Sequence, residues 1–312
     1  MKAALVASPG QLEIASVSLP PPGPGECLIR MRLGAVNPLD TYVEAGLVGS
    51  GAPYPRVLGV EGVGEYQGSD VVVFGHGIGT VRHGTWAEYC VAPADALVEV
   101  PPGIAPETAA TCGVTGATAI RVGLDLADAK PGERVLVLGS SGAVGLAICS
   151  LLSGTGIHVT GQTTNPDKAV AVERAGADPL VASDPASFVS QVGRIGPFSV
   201  VIDALGADWT SAALGRLSPF GRLVSYGTSA GPEARIDLRS IYRNNITWRG
   251  YGGMAEDPAR IKDAIKRALV EIAAGRMWIP SGPTMALEDA SQAIRATRAH
   301  TEVGRIMLRL WG

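Results

Sequence analysis

Apolar positions along this chain change texture near residue 115. Up to about Pro102 they form short runs broken by proline and glycine. The break Pro20-Pro21-Pro22-Gly23-Pro24-Gly25, for example, is followed by the run 26–31. Runs of this length between turn residues predict short strands and a mostly β region. From about Thr115, apolar strands alternate with helical patterns. Residues 134–138, 157–160, 200–203 and 222–226 are near-continuous runs of the kind that a parallel sheet buries on both faces. Asn165-Pro166, Ser183-Asp184-Pro185 and Asp257-Pro258 each place a capping residue before a proline, which predicts three helix starts. The last opens a helix with Ile261, Ile265, Ala268, Leu269 and Ile272 along one face, ending near Gly275. A strand–helix–strand remnant follows Pro280.

The run 134–138 leads straight into Gly139-Ser140-Ser141-Gly142-Ala143-Val144-Gly145 and an apolar helix pattern. Strand, glycine turn and helix start in this order form the arrangement that cradles a dinucleotide pyrophosphate. Gly142 lets the backbone approach phosphate, and Gly145 lets the helix pack closely on the strand. Helix N-terminal N–H groups then face the anion. Ser140 stands where the usual motif has its first glycine. Residues 115–280 are therefore expected to form a Rossmann domain, and the remnant 281–312 to return to the first domain, 1–114. The fold class is α/β: a doubly wound parallel sheet plus a mostly β domain.

NAD-binding proteins place Asp or Glu about 20 residues past the glycines to hold the ribose hydroxyls. Here that stretch is Gly161-Gln162-Thr163-Thr164-Asn165, without a carboxylate, and Lys168 follows in the first turn of the next helix. Hydroxyls and a lysine near a helix N-terminus favour a 2′-phosphate, hence NADP (NADPH) over NAD. Lys168 also fits an ordinary solvated helix position. Asp installed at Gln162 is expected to shift preference toward NADH.

Composition narrows the setting. Hydrophobic residues make up 46% of 312, yet no apolar run approaches the roughly 20 residues of a membrane span. The net charge of −3, without a basic block, argues against nucleic acid as a partner. Cys27, Cys90, Cys112 and Cys149 show no paired spacing, so a reduced, cytoplasmic compartment is expected.

Several motifs in order resemble the medium-chain dehydrogenase/reductase superfamily, in its zinc-free quinone oxidoreductase (zeta-crystallin-like) branch. They are Asn37-Pro38-Leu39-Asp40-Thr41-Tyr42, Leu58-Gly59-Val60-Glu61-Gly62-Val63-Gly64, Gly84-Thr85-Trp86-Ala87-Glu88-Tyr89, Thr118-Ala119, the glycine turn, and Val303-Gly304-Arg305-Ile306. The resemblance spans nearly the whole chain. It implies a GroES-like β domain around a Rossmann domain, a cleft between them, and commonly a homodimer. It assigns cofactor contacts to Thr118, Ser141, Gly142, Ala143, Val144, Gly145, Thr163, Lys168, Tyr226 and Gly227. It sets Asn37 and Tyr42 beside the nicotinamide.

Zinc-containing members bind catalytic metal where this chain carries Asn37, Val60 and Cys112. One thiolate cannot hold a tetrahedral ion that needs three protein ligands. Without a Lewis acid a simple ketone is a poor acceptor, whereas a quinone or α,β-unsaturated carbonyl delocalises the charge left by hydride addition. Asn37 and Tyr42 could then donate hydrogen bonds to the acceptor oxygen. A Tyr42 hydroxyl merely satisfied at the domain seam fits equally well. Asp40 is expected to hold loop geometry and Glu61 to fix the cleft wall. Two alternatives remain open. One is an enoyl-thioester reductase, although Val48 stands where that group carries its tyrosine. The other is an NADPH-binding interaction protein with weak turnover. The strand near residues 246–251 would leave an exposed apolar edge in a monomer, which also points to a homodimer.

Overall fold

The computed structural model describes residues 1–49 and 51–311. Its contacts divide the chain into two compact units. The first comprises Met1–Ala117, Met254–Ala273 and Ile279–Gly312, and the second Thr118–Gly253 and Ala274–Trp278.

The second unit holds six parallel strands. They are β1 (Arg134–Leu138), β2 (His158–Thr163), β3 (Asp178–Val181), β4 (Phe198–Asp203), β5 (Leu217–Ser225) and β6 (Thr247–Gly250). Their order is β3-β2-β1-β4-β5-β6, the doubly wound Rossmann order, which reverses between β1 and β4 at the place where such sheets bind ligands. Register is set by buried runs: Val135 pairs Val159, Leu136 pairs Val201, and Ile202 pairs Val224. Val135 through Leu138 and Val200 through Ile202 are fully buried, because helices cover both sheet faces. Phe188 and Trp209 meet at 5.9 Å between ring centroids in the core on one face. Each fully buried side chain of this size contributes about 1.5–3 kcal/mol.

Two strands differ from the sequence expectation. β2 runs on through Gly161, Gln162 and Thr163, and β5 begins five residues before Arg222. In β2 the polar Gln162 is carried into the sheet by pairing with Leu180, and in β5 the added start is held by Leu217, which pairs Phe198.

The first unit is mostly β. One sheet runs in the order Ser281–Ala286, Arg305–Arg309, Glu26–Ala35, Glu61–Tyr66, Ser69–Phe74 and Leu97–Glu99, with Tyr89–Pro93 also paired to Glu26–Ala35. A smaller sheet joins Gln11–Ser16, Lys2–Ser8 and Arg56–Val57. Trp86, Ile29, Met31 and Leu58 are the large side chains at the core of this unit. The helix Pro258–Ala273 buries Ile261, Ala264, Ile265, Ala268 and Leu269 within the same unit. Gly116 lets Ala268 approach, since a Cβ there would stand 3.0 Å from the Ala268 methyl.

Candidate functional site

In the second unit, β1 ends at Leu138 and the helix Ala143–Leu152 begins shortly after. Gly139 makes the turn, with φ +68°, in the left-handed region that glycine adopts without steric cost. Ser140 is buried instead, and both its amide and its hydroxyl donate to the Gln162 carbonyl at 2.9 Å. Gly142 is the N-cap, and no side chain caps the helix. The first N–H groups, of Ala143, Val144 and Gly145, therefore lack a side-chain acceptor. A Cβ on Gly142 would meet only the Gly139 carbonyl oxygen, at 3.4 Å, so the space over the turn is open. On Gly145 a Cβ would stand 2.6 Å from the Ser140 Cα. An uncapped N-terminus under an open glycine fits a phosphate group.

Gln162 requires a correction. It is fully buried; its Oε1 accepts from the Gly139 N–H at 3.0 Å and its Nε2 donates to the Ala182 carbonyl at 3.0 Å. Its side chain therefore braces the turn from beneath rather than facing a ribose, because the longer β2 points it into the sheet. Thr163 is also buried; its hydroxyl donates to Ser141 Oγ at 3.0 Å. Ser141, Gly142 and Thr163 are thus brought together. Lys168 is half-buried at the end of the short turn Pro166–Lys168, which Asn165 caps by accepting from the Asp167 N–H at 2.9 Å.

Tyr226 and Gly227 follow β5. The Tyr226 N–H donates to the Asp203 carbonyl at 2.9 Å, and a Cβ on Gly227 would stand 2.8 Å from the Ala204 carbonyl oxygen. The carboxyl ends of β4 and β5 are therefore in close backbone contact. A cavity of about 200 Å³ opens beside them, lined among others by Asp203, Ser225, Gly227 and Trp248. Thr118 opens the second unit, half-buried in the short helix Ala117–Ala119.

The first unit carries a buried polar cluster. Proline at the first helical position starts Pro38–Glu44, with Asn37 as N-cap. Asp40 accepts from the Asn37 N–H at 2.8 Å and, through its other oxygen, from the Val60 N–H at 2.9 Å. It clamps the helix start to the loop before Glu61. Glu61 Oε1 accepts from Asn37 Nδ2 at 2.8 Å and Oε2 from the Val114 N–H at 2.7 Å. Gly113 permits the second bond, for a Cβ there would stand 2.9 Å from Glu61 Oε2.

Asn37, Asp40 and Glu61 are each fully buried. Burial pushes the Asp40 and Glu61 carboxyls up to about 7, against the pull of their hydrogen bonds and of the Arg305 guanidinium. Arg305 Nε donates to Thr115 Oγ1 at 3.3 Å. Tyr42, on the same short helix as Asp40, is 45% exposed. Burial, reinforced by the Glu61 charge, drives the Cys112 thiol well above its ordinary range, and its Sγ donates to the Thr108 carbonyl at 3.4 Å.

The grip of Glu61 on Asn37 and the approach of Arg305 escape a sequence reading, because three distant segments supply them. Only a lone acid within the apolar, glycine-rich stretch 58–64 hints at a buried partner.

Two family models match the chain: an alcohol dehydrogenase GroES-like domain over residues 23–102 and a zinc-binding dehydrogenase over residues 143–269. A quinone oxidoreductase of Sus scrofa is 30% identical over 292 residues, which cover 89% of this chain and 87% of that protein. The chain belongs to the medium-chain dehydrogenase/reductase superfamily, in its quinone oxidoreductase branch. It is an oxidoreductase of that superfamily. A Pseudomonas aeruginosa quinone oxidoreductase is 29% identical over 309 residues, covering 95% of this chain and 92% of that one. Among solved structures of the superfamily, the quinone oxidoreductase of Thermus thermophilus, described with its NADPH complex, superposes with a TM-score of 0.86 at 27% identity. The match covers 99% of this chain and 100% of that one.

Proposed function

We propose that this chain is an NADPH-dependent, zinc-free reductase that passes hydride to a quinone or an α,β-unsaturated carbonyl. The observation that carries the proposal is the set of groups at Asn37, Val60 and Cys112. An amide held by Glu61, an alkyl side chain and a single thiol do not make a three-ligand zinc site, which needs deprotonated or imidazole ligands. Among the described residues no group of three or more His, Cys, Asp or Glu side chains is placed to hold a metal. Without a Lewis acid, the acceptors that remain favourable are those whose own conjugation spreads the new charge.

NADPH, when bound, supplies the hydride. The uncapped start of the helix Ala143–Leu152 would hold the pyrophosphate under Gly142, with Ser141 and Thr163 beside it. Lys168 would meet the 2′-phosphate as a charge-assisted donor. Tyr42, half-exposed, would donate its phenol O–H to the oxygen that gains charge. Asn37 would support that site from behind, since it is fully buried and Glu61 takes one of its two amide hydrogens. Tyr226, Gly227 and Thr118 complete the cofactor contacts in this proposal. It includes a homodimer and a reduced, cytoplasmic setting, in keeping with the free, buried cysteines. No helix among the described residues is long and apolar enough to cross a membrane.

The test is NADPH oxidation by the purified protein against phenanthrenequinone, alkenals and enoyl thioesters, with and without chelator and with elemental analysis. Turnover of quinones and alkenals that survives chelation is the expected result. One tightly held zinc per chain would overturn the zinc-free assignment. Turnover confined to enoyl thioesters would replace the acceptor class. Tight NADPH binding without turnover on any of them would point to an interaction protein.

A further inference from the structure

Beside the glycine turn of the second unit, two hydroxyls meet. Thr163 is the last residue of β2, and its backbone is pinned by pairing with Val181 and by the Ala182 N–H, which donates to its carbonyl at 3.0 Å. At 1% exposure its side chain is too enclosed to touch a ligand. Ser141 is half-buried next to Gly142, the exposed N-cap of the helix Ala143–Leu152. The two hydroxyl oxygens stand 3.0 Å apart, and among the described residues this is the one bond of Ser141 Oγ. Each hydroxyl carries one proton and two lone pairs. Thr163 Oγ1 accepts from the Asn165 N–H at 3.3 Å. Its own proton has two acceptors in reach, Ser141 Oγ at 3.0 Å and the Asn165 carbonyl at 3.3 Å. Taking the shorter bond leaves the Ser141 proton without an acceptor among the described residues, at the edge of the open turn.

We infer that Ser141 donates its hydroxyl hydrogen to a phosphate oxygen of the dinucleotide, and that Thr163 is a positioning residue that directs it there. The chain of donors runs from the Asn165 N–H to the Thr163 O–H, the Ser141 O–H and the phosphate. This role rests on the proposed dinucleotide site and deepens it, since Thr163 serves the ligand through Ser141 and not by contact. The anion itself enforces the direction: the reversed chain would set a Ser141 lone pair against it. A hydrogen bond to a charged acceptor is stronger than a neutral one, and successive bonds in a chain polarise one another. Two phosphates share this chemistry. One is the pyrophosphate that a helix start favours; the other is the 2′-phosphate, which NADPH has and NADH lacks.

A double-mutant cycle tests the relay. Ser141→Ala removes the donor and should raise the NADPH Kd, read by fluorescence titration, about tenfold. Thr163→Val removes the directing hydroxyl at nearly the same shape and should raise Kd about three- to tenfold. Thr163→Ser keeps the hydroxyl and should bind within about twofold of wild type. In the Ser141→Ala background, Thr163→Val should bring no further loss, because the group it directs is gone. A residue that only holds the fold would lose affinity equally in both backgrounds.

NADH is titrated beside NADPH throughout. Equal losses with both cofactors locate the bond on the pyrophosphate, and a loss confined to NADPH locates it on the 2′-phosphate. Ser141→Ala, at a half-buried turn position, tests the donor even if Thr163→Val does not fold. Wild-type affinity in Ser141→Ala or in Thr163→Val, a Thr163→Ser as weak as Thr163→Val, or additive losses in the double variant would overturn the inference. Wild-type protein that binds neither cofactor would overturn both the relay and the proposed site. Binding without quinone or enone turnover would instead sink the proposed activity alone, with the titrations still deciding the relay.

Discussion

At the residue scale, the position of Gln162 changes what a substitution there does. An aspartate would lose the donor to the Ala182 carbonyl and bury a charge beside the Gly139 amide. Gln162→Asp should therefore destabilise the protein by about 2–4 kcal/mol in chemical denaturation rather than exchange NADPH for NADH. Lys168 is the residue that should carry cofactor choice. A charge-assisted phosphate contact contributes about 1.5–3 kcal/mol. Lys168→Ala should accordingly weaken NADPH roughly ten- to a hundredfold and NADH little, with kcat at saturating NADPH unchanged. Equal fluorescence-titrated affinities for both cofactors in wild type would remove that role.

Glu61 yields a pH prediction whose sign follows from burial. Its carboxyl, ordinarily near 4.5, is raised to about 7 in the fold. Between those values the unfolded chain releases the proton while the native state keeps it, so stability falls as pH rises from about 4.5 to 7 and levels off above. Glu61→Gln has no such proton to lose. The variant's stability relative to wild type should improve over that interval, by up to roughly 3 kcal/mol. Urea denaturation at pH 5, 6, 7 and 8 reads the difference; parallel curves for the two proteins would refute a raised Glu61.

At the element scale, the glycine turn is decided by contact distances. Gly145→Ala would force a methyl to within 2.6 Å of the Ser140 Cα and 2.7 Å of its carbonyl oxygen, both backbone atoms that cannot swing aside. A loss of about 2–4 kcal/mol and weakened NADPH binding are expected. Gly142→Ala, facing open space, should alter denaturation by less than about 1 kcal/mol. Helix starts were legible in the sequence because capping is local. Asp184 accepts from the Ser187 N–H, three residues on, at 2.8 Å and precedes the helix Pro185–Val192. The full length of β2 was not legible. Gly161-Gln162-Thr163 has a loop's composition, and pairing with its neighbours, β3 along all three residues and β1 at Gly161, makes it a strand.

At the scale of the whole molecule, β6 is an edge strand with all four residues exposed, Trp248 at 40%. Exposed edges invite pairing, and a two-fold axis closes the contact. Sedimentation at micromolar concentration should show a dimer. A compact wild-type monomer would contradict this. By itself the sequence determined the fold class, the glycine turn and the residues at the metal positions. Each of these depends on short-range periodicity, on turn chemistry, or on which side chain stands at one position. Tertiary structure alone decided that Gln162 braces the turn, that Pro258–Ala273 packs in the first unit, and that Glu61 holds Asn37. Those facts depend on contacts such as Glu61 with Val114, 53 positions apart in the chain. Burial then raises the cost of an unpaired group enough to fix the partner.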